Sequence, residues 1–113
     1  MNLKDRSILL TGATGFTGYH LKNRLIELGA NVFGITNTKP AKPDPALIFA
    51  PLENRELVSA ALASVRPDYV IHLAGISFAN HDNALPYYDV NVLGTENLLK
   101  ACVQVKASIK KVI

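Results

Sequence analysis

The chain has 113 residues, which is enough for one domain with a buried core and too few for two. Apolar residues make up 49% and charged residues 19%, proportions that are typical of folded globular chains and exclude an intrinsically disordered one. The formal net charge is only +3, and lysine and arginine are scattered without a basic stripe, so we expect no nucleic-acid binding.

Cysteine content and the N-terminal sequence bear on the compartment. The single cysteine, Cys102, excludes an internal disulfide and is compatible with a reducing cytoplasm. No apolar run reaches the length of a membrane span, and the first residues lead directly into strand-like sequence without the pattern of a signal peptide. We therefore expect a cytoplasmic protein that does not contact a membrane.

The first predicted unit is a strand, a glycine-rich turn and a helix. Ser7–Thr11 is almost continuously apolar, as expected of a strand that is covered on both faces. From about Gly15 to Leu28 the apolar period becomes that of a helix, and Gly29 supplies a stop. The residues of this segment that share one helical face are Gly18, Leu21, Leu25 and Leu28.

The next predicted elements continue the alternation of strand and helix. Asn31–Thr36 is a second strand, and the proline-rich segment Asn37–Pro45 is a loop. Ala46–Ala50 is a third, short strand. Asn54 is a candidate N-cap for a second helix that runs to about Val65.

The remaining elements complete a recognisable fold class. Tyr69–Leu73 is a fourth strand, and a longer helix is expected from about Leu85 or Tyr88 to Val105. Ile109–Ile113 resembles the beginning of a fifth strand. Alternating strands and helices with short connections predict an α/β fold, a Rossmann-type doubly wound parallel sheet that is truncated at the start of the fifth strand. We therefore expect a single domain over residues 1–113.

The turn after the first strand carries the main functional signal. Thr11–Gly18 has the pattern Gly-x-x-Gly-x-x-Gly between a predicted strand and a predicted helix. In that context the pattern is typical of a dinucleotide pyrophosphate site, because glycine lets the backbone approach the phosphates and the helix N-terminus offers N–H groups. We expect Gly12 to form the tight turn, Gly15 to allow close approach of the pyrophosphate, and Gly18 to pack the helix against the strand. A glycine-rich turn without a ligand is the alternative.

Two further motifs accompany the glycine-rich turn. The chain carries, in order, Thr11–Gly18, the segment His72–Gly75 after the fourth strand, and the segment Tyr87–Asn97. Together they resemble the extended short-chain dehydrogenase/reductase family, and more narrowly its NAD(P)-dependent nucleotide-sugar epimerases, dehydratases and reductases. The resemblance covers essentially the whole chain.

The resemblance implies where an NAD or NADP cofactor would lie. Backbone groups of the glycine-rich turn would hold the pyrophosphate, the end of the second strand would meet the adenine ribose, and the end of the fourth strand would line the nicotinamide-side ribose. The implied cofactor-binding residues are Gly12, Gly15, Phe16 and Thr17 with Gly18 behind them, then Thr36, Asn37, Thr38 and Lys39, then Leu52 near the adenine, and finally Leu73, Ala74, Gly75, Ser77 and Asn91.

Two positions depart from the family pattern. NAD-preferring members usually carry an acidic residue after the second strand that hydrogen-bonds the ribose 2′-OH, whereas this chain has Thr36–Lys39 and no carboxylate before Asp44. We expect a slight preference for NADP, because a repulsion against the 2′-phosphate is missing and Lys39 offers an attraction. A solvated loop lysine is the alternative. Pro51 stands where the family often has aspartate, so adenine recognition near Leu52 would depend on backbone or apolar contact.

The catalytic residues of the family are not found in the chain. The family's reaction uses a tyrosine and a lysine four residues apart and a serine at the end of the fifth strand. The residues four positions after the tyrosines are Asn23, Leu73, Asn91 and Val92, none of them lysine. The resemblance therefore implies the N-terminal part of a longer enzyme, without the catalytic and sugar-binding parts, and inactive by itself.

Other residues with chemical potential have simpler interpretations. His72 is expected to be a packed, hydrogen-bonded histidine rather than a base. His81 and Asp82 have no third ligand beside them, so no metal site is expected. Cys102 is expected to pack as a small hydrophobe. Ser77 is either a plain loop serine or a contact to cofactor or substrate.

The chain is interpreted as the cofactor-binding portion of an NAD(P)-dependent nucleotide-sugar epimerase, dehydratase or 4-keto-sugar reductase. Its expected partners are the dinucleotide and, in the parent enzyme, a nucleotide-sugar substrate and a second subunit of a homodimer. Two alternatives stay open: a non-catalytic regulator that binds a dinucleotide, and a short-chain reductase for a non-sugar carbonyl. A serine and a Tyr-x-x-x-Lys pair beyond Ile113 would exclude the regulator.

Overall fold

The structure, a computed structural model, describes residues 3–73, 92–106 and 108–113. Five strands and three helices lie within these ranges, and they alternate along most of the chain. Their bounds are β1 Ser7–Thr11, α1 Phe16–Glu27, β2 Asn31–Thr36, β3 Leu47–Phe49, α2 Arg55–Val65, β4 Tyr69–His72, α3 Gly94–Gln104 and β5 Lys111–Val112.

The strands form one parallel sheet in the order β3-β2-β1-β4-β5. Central β1 pairs with a strand on each side, and Leu9 lies opposite Phe33 of β2 and Val70 of β4. The strand order reverses beside β1, and in such sheets ligands bind outside the carboxyl ends of the strands at this point. The parallel, doubly wound α/β fold predicted from the sequence is confirmed.

The apolar residues bury both faces of β1. Because side chains alternate along a strand, Leu9 faces one side of the sheet while Ile8 and Leu10 face the other, and all three are at most 2% exposed. The first side is covered by α2 and α3, through Val58, Ala61, Leu62, Leu98 and Ala101. The second side is covered by α1 and the preceding chain, through Leu3, Leu25 and Ala30.

Three strands are shorter than predicted, and the smallest difference is in β4, which ends at His72 rather than at Leu73. β3 covers Leu47–Phe49 rather than Ala46–Ala50, and β5 covers Lys111–Val112 rather than Ile109–Ile113. Hydrogen bonding to the neighbouring strand continues just outside these bounds, since the Ala50 N–H donates to the Thr36 carbonyl beside β3 and the Ile113 N–H donates to the Val70 carbonyl beside β5. The position of each strand in the chain agrees with the prediction.

The N-cap predicted for the second helix is present. The Asn54 side chain accepts a hydrogen bond of 3.1 Å from the Leu57 N–H at the start of α2. The helix ends at Val65, and Arg66 follows in the left-handed region with φ 46°. The predicted bounds of this helix are therefore confirmed.

The last helix has one buried and one exposed side. Gly94, Leu98 and Ala101 are buried, and so is Cys102, which packs as a small hydrophobe as predicted. On the exposed side the Lys100 ammonium and the Glu96 carboxylate form an ion pair of 2.8 Å. The predicted start of this helix, near residues 85 to 88, lies outside the described residues.

In the described part of the chain, no helix combines the length and the apolar character that crossing a membrane requires.

Candidate dinucleotide site

The turn between β1 and α1 is tight and left-handed at its first glycine. Gly12 has φ 72°, a backbone conformation that residues with a side chain rarely adopt. The Gly15 N–H donates a hydrogen bond of 3.2 Å to the Gly12 carbonyl, which closes the turn. The chain then enters α1 directly, with Gly15 as the N-cap residue.

Gly18 is required by close packing of the helix on the turn. A Cβ at this position would lie 2.0 Å from the Gly12 carbonyl oxygen and 2.9 Å from the Ala13 Cα. Both distances are far below van der Waals contact, and both atoms belong to backbone that cannot move aside. The close approach is made to the turn itself, whereas the sequence predicted an approach to the strand.

Gly15 is not required by the fold. Its φ of −77° is open to any residue, and a Cβ would lie an ordinary 3.5 Å from the Gly12 carbonyl oxygen. The space that a side chain would fill lies at the start of α1, where no side chain caps the helix and no acidic residue stands in the first turn. The site therefore fits an anion such as a pyrophosphate, which the positive end of the helix dipole favours.

Phe16 and Thr17 contribute backbone N–H groups at this helix start. They are the first two residues of α1, whose N–H groups have no carbonyl partner within the helix. Their side chains are exposed, and the Phe16 ring, 83% exposed, contacts the His20 ring with centroids 4.6 Å apart. Phe16 can therefore offer a phosphate only its backbone N–H, whereas Thr17 carries a hydroxyl donor as well.

The end of β2 forms a second, smaller turn. The buried Thr36 hydroxyl donates to the Thr38 carbonyl at 3.0 Å and accepts from the Thr38 N–H at 3.2 Å. This turn exposes Asn37, Thr38 and Lys39. The Lys39 ammonium lies 5.6 Å from the centroid of the Phe49 ring at the end of β3, a cation–π geometry that holds it beside the strand ends.

The end of β4 is bonded to the end of β1. The Leu73 N–H donates to the Thr11 hydroxyl oxygen at 3.0 Å, and the His72 Nδ1 lies 2.6 Å from the same oxygen. The His72 Nε2 lies 2.9 Å from the hydroxyl of Thr95 on α3. Burial lowers the pKa of the His72 imidazole. His72 is thus a packed, hydrogen-bonded histidine, as predicted.

Leu52 lies in the core rather than on an open surface. Its side chain is 5% exposed and packs in the layer between the sheet and helices α2 and α3. Its carbonyl accepts a hydrogen bond of 2.9 Å from the Asn97 amide on α3. An adenine contact by Leu52 stays a prediction.

The strand ends bring several of the predicted residues to one edge of the sheet. Thr11 is in register with Ile35 of β2 and His72 of β4, so the turns that follow these three strands are neighbours. Ala74, Gly75, Ser77 and Asn91 lie outside the described residues, as do His81 and Asp82. Among the residues that the structure describes, no group of three histidine, cysteine, aspartate or glutamate side chains could hold a metal ion.

Sequence reasoning missed the partners of His72 and Leu52. Thr95 and Asn97 were part of a recognised motif, but nothing in the sequence indicated which strand end each would contact. The available signal was that Thr95 and Asn97 are polar residues beside the apolar face of the helix.

Comparison with known proteins agrees with this geometry. The model of the NAD-dependent epimerase/dehydratase family matches residues 8–113. One similar curated protein is a GDP-6-deoxy-D-talose 4-dehydrogenase from Aggregatibacter actinomycetemcomitans, which is 34% identical over 102 residues, 89% of this chain and 32% of that protein. Another is a dTDP-6-deoxy-L-talose 4-dehydrogenase (NAD(P)(+)) from Kitasatospora kifunensis, 34% identical over 97 residues, 83% of this chain and 30% of that protein.

A solved structure is similar to most of this chain. The UDP-glucose 4-epimerase of Thermus thermophilus, in complex with NAD, superposes with a TM-score of 0.78 at 30% identity. The superposition covers 88% of this chain and 34% of the epimerase. The chain thus spans about a third of the length of the relatives it matches. Its sequence over residues 8–113 and its fold assign the chain to the NAD-dependent epimerase/dehydratase family.

Proposed function

We propose that this chain binds NAD or NADP at the carboxyl ends of β1, β2 and β4, as the cofactor-binding portion of an enzyme that acts on a nucleotide sugar. The observation that carries the proposal is Gly15. The fold has room for a side chain there and the backbone is unstrained, so a bound group outside the protein is the reason for glycine.

The rest of the turn supports the same ligand. The uncapped N-terminus of a 12-residue helix offers backbone donors and a favourable dipole to a pyrophosphate. Gly12 and Gly18 keep the turn close to the start of the helix that carries those donors. The family assignment and the NAD bound by the epimerase of Thermus thermophilus support a dinucleotide over other anions.

The proposed reaction is a hydride transfer at the 4-position of the sugar. A bound nicotinamide accepts or returns the hydride, and the protein supplies binding and orientation. The names of the three relatives support this position, since they include two 4-dehydrogenases and one 4-epimerase that act on nucleotide-linked sugars. Epimerase and 4-keto-sugar reductase are both compatible with this proposal.

The 113-residue chain is proposed to be inactive by itself. None of its four tyrosines precedes a lysine by four residues, so the acid–base pair of the family is missing from it. We expect the chain alone to bind the dinucleotide weakly and to turn over no nucleotide sugar. Turnover by the isolated chain, followed through nicotinamide absorbance, would contradict this proposal.

Replacing Gly15 with alanine tests the cofactor site in the full-length protein that contains this chain. The added methyl fits the fold but occupies the space assigned to the pyrophosphate, so NADH affinity should fall by at least about tenfold, equivalent to about 1.4 kcal/mol. The melting temperature should remain close to that of the wild type. Affinity is measured by nicotinamide fluorescence.

Asn23→Ala, on the exposed side of the same helix, is the matched control and should bind NADH as the wild type does. A Gly15→Ala protein with unchanged NADH affinity would refute the pyrophosphate assignment.

Lys39 is the proposed source of a slight preference for NADP. Its ammonium is held near the end of β2 by the Phe49 ring, and no carboxylate lies between Thr36 and Asp44 to repel a 2′-phosphate. The Asp44 carboxylate itself accepts a hydrogen bond of 2.9 Å from the Ala46 N–H. An exposed charge pair contributes about 1 kcal/mol or less, so the preference should be several-fold rather than absolute.

Calorimetry on the full-length protein checks this preference. Lys39→Ala should weaken NADPH binding and leave NADH binding almost unchanged, while Lys42→Ala, exposed in the same loop, should change neither. Equal affinity of the wild type for the two cofactors would contradict the NADP preference.

A further inference from the structure

Two polar side chains of α3 are bonded to the sheet edge where the dinucleotide is proposed to bind. The Thr95 hydroxyl lies 2.9 Å from the His72 Nε2, and the Asn97 amide donates to the Leu52 carbonyl at 2.9 Å. Both side chains are partly buried, and the cofactor-binding set proposed from the family resemblance includes neither of them. They lie behind the strand ends, on the side of the sheet that α2 and α3 cover.

Thr95 is connected through His72 to the glycine-rich turn. The imidazole bridges two hydroxyl groups, because its Nδ1 lies 2.6 Å from the Thr11 Oγ1 and its Nε2 contacts Thr95. Thr11 is fully buried and directly precedes Gly12, the left-handed residue of the turn. A displacement of the imidazole would therefore move Thr11 and, with it, the start of the glycine-rich turn.

Asn97 is connected to the turn at the end of β3. The Leu52 carbonyl that it binds belongs to a turn that the Asn54 N–H closes on the Pro51 carbonyl at 2.8 Å. Ala50, just before that turn, donates a hydrogen bond of 2.9 Å to the carbonyl of Thr36, the last residue of β2. Without the Asn97 amide, the Leu52 carbonyl would lose its partner and the turn would shift toward water.

The two contacts lie on opposite sides of one buried stripe. A helix advances about 100° per residue, so Thr95 and Asn97 flank the buried Gly94 and Leu98. One turn of α3 thus reaches the end of β4 on one side and the loop after β3 on the other.

We infer that Thr95 and Asn97 are positioning residues of the proposed dinucleotide site. From behind the sheet, they set the distance between the glycine-rich turn, which would hold the pyrophosphate, and the loop after β3, which would lie near the adenine. The inference rests on the proposed function, and it adds two residues that do not touch the cofactor. The alternative is that both side chains only attach α3 to the sheet.

Variants of the full-length protein separate positioning from attachment. Thr95→Val keeps the shape and removes the hydroxyl, and Asn97→Leu keeps the size and removes the amide. Each should weaken NADH binding roughly tenfold at a temperature where the variant is fully folded, because the displaced turn must return to its place when the dinucleotide binds. Thr95→Ser retains the hydroxyl and should restore the wild-type dissociation constant.

Ser108→Ala is the matched control for attachment. The Ser108 hydroxyl bonds to the Val105 carbonyl at 3.0 Å just beyond the far end of α3, so its loss should lower the melting temperature without changing NADH affinity. If Asn97→Leu does not fold, Asn97→Ser, too short to reach Leu52, takes its place.

The outcomes distinguish a failure of the proposed function from a failure of the positioning role of Thr95 and Asn97. A wild-type protein that binds neither NADH nor NADPH overturns the proposed function and this inference together. A wild-type protein that binds NADH, with Thr95→Val and Asn97→Leu forms that are less stable but bind equally well, overturns this inference alone.

Discussion

At the scale of single residues, the three glycines of the turn between β1 and α1 differ in what a side chain would meet. At Gly12 the backbone is left-handed, at Gly18 a Cβ would strike the turn, and at Gly15 neither constraint applies. The first two positions are thus explained by folding. The third is explained by the pyrophosphate that the turn is proposed to bind.

Replacing Gly18 with alanine should destabilise the protein. The added methyl would lie 2.0 Å from the Gly12 carbonyl oxygen, so helix and turn must separate. The free energy of unfolding should fall by about 2–3 kcal/mol or more, which urea denaturation can measure. The Gly15→Ala protein, made in parallel, should lose less than about 1 kcal/mol. Equal stability of the two variants would show that the helix does not pack on the turn as described.

His72 makes stability depend on pH. Burial lowers the pKa of its imidazole in the folded state, whereas in the unfolded chain the pKa is near the ordinary value of about 6.5. The unfolded state therefore binds more protons as the pH falls below about 6.5, and the stability that is present above that pH is progressively lost.

The pH dependence can be measured against a variant that does not titrate. Between pH 7.5 and pH 5.5, the free energy of unfolding of the wild type should fall more steeply than that of His72→Gln. Parallel curves for the two proteins would mean that His72 titrates alike in the folded and unfolded states.

At the scale of secondary-structure elements, α1 and α2 begin in different ways. The Asn54 side chain caps α2 by accepting from the Leu57 N–H, whereas no side chain caps α1. An uncapped first turn leaves backbone N–H groups available to water or to a ligand. The difference is consistent with a ligand at the start of α1 and none at the start of α2.

Removing the cap of α2 should lower the stability of the protein measurably. Asn54→Ala loses the bond to the Leu57 N–H, so the free energy of unfolding should decrease by about 1 kcal/mol. Asn54→Asp keeps an acceptor at the positive end of the helix and should be close to wild type. The denaturant midpoints of the three proteins provide the comparison, and an unchanged midpoint for Asn54→Ala would argue against the cap.

At the scale of the whole molecule, the edge formed by α3 and β5 has an exposed apolar surface. Val103 is 64% exposed and Leu99 is 48% exposed on α3, and Ile113 beside β5 is 64% exposed. A groove of about 240 Å³ lies between α3 and β5, lined by Leu99, Cys102, Val103, Lys106, Ile109 and Val112. Clustered apolar surface of this kind promotes association.

The isolated 113-residue chain should therefore self-associate. We expect its sedimentation coefficient to rise with concentration, and Val103→Glu to suppress the rise by placing a charge on the apolar surface. Gln104→Glu adds the same charge at the neighbouring exposed position and should have a smaller effect. A monomer at all concentrations would rule out association through this surface.

Most of the fold could be read from local patterns. The uninterrupted apolar run at Ser7–Thr11 predicted a strand buried on both faces, and Asn54 predicted the start of α2. The ends of β3 and β5 could not be predicted, because they depend on the geometry of pairing with a neighbouring strand and not on the apolar pattern of the strand itself.

From the sequence alone, the glycine pattern predicted a dinucleotide site and determined the strand, turn and helix around it, because backbone conformation and close approach depend on the glycines themselves. Only the tertiary structure decided which glycine the fold does not need, and which groups of α3 lie behind the site. Thr95 and Asn97 are far along the chain from His72 and Leu52, the residues that they contact. These contacts form only because parallel strands bring their carboxyl ends to one edge beneath a shared helix.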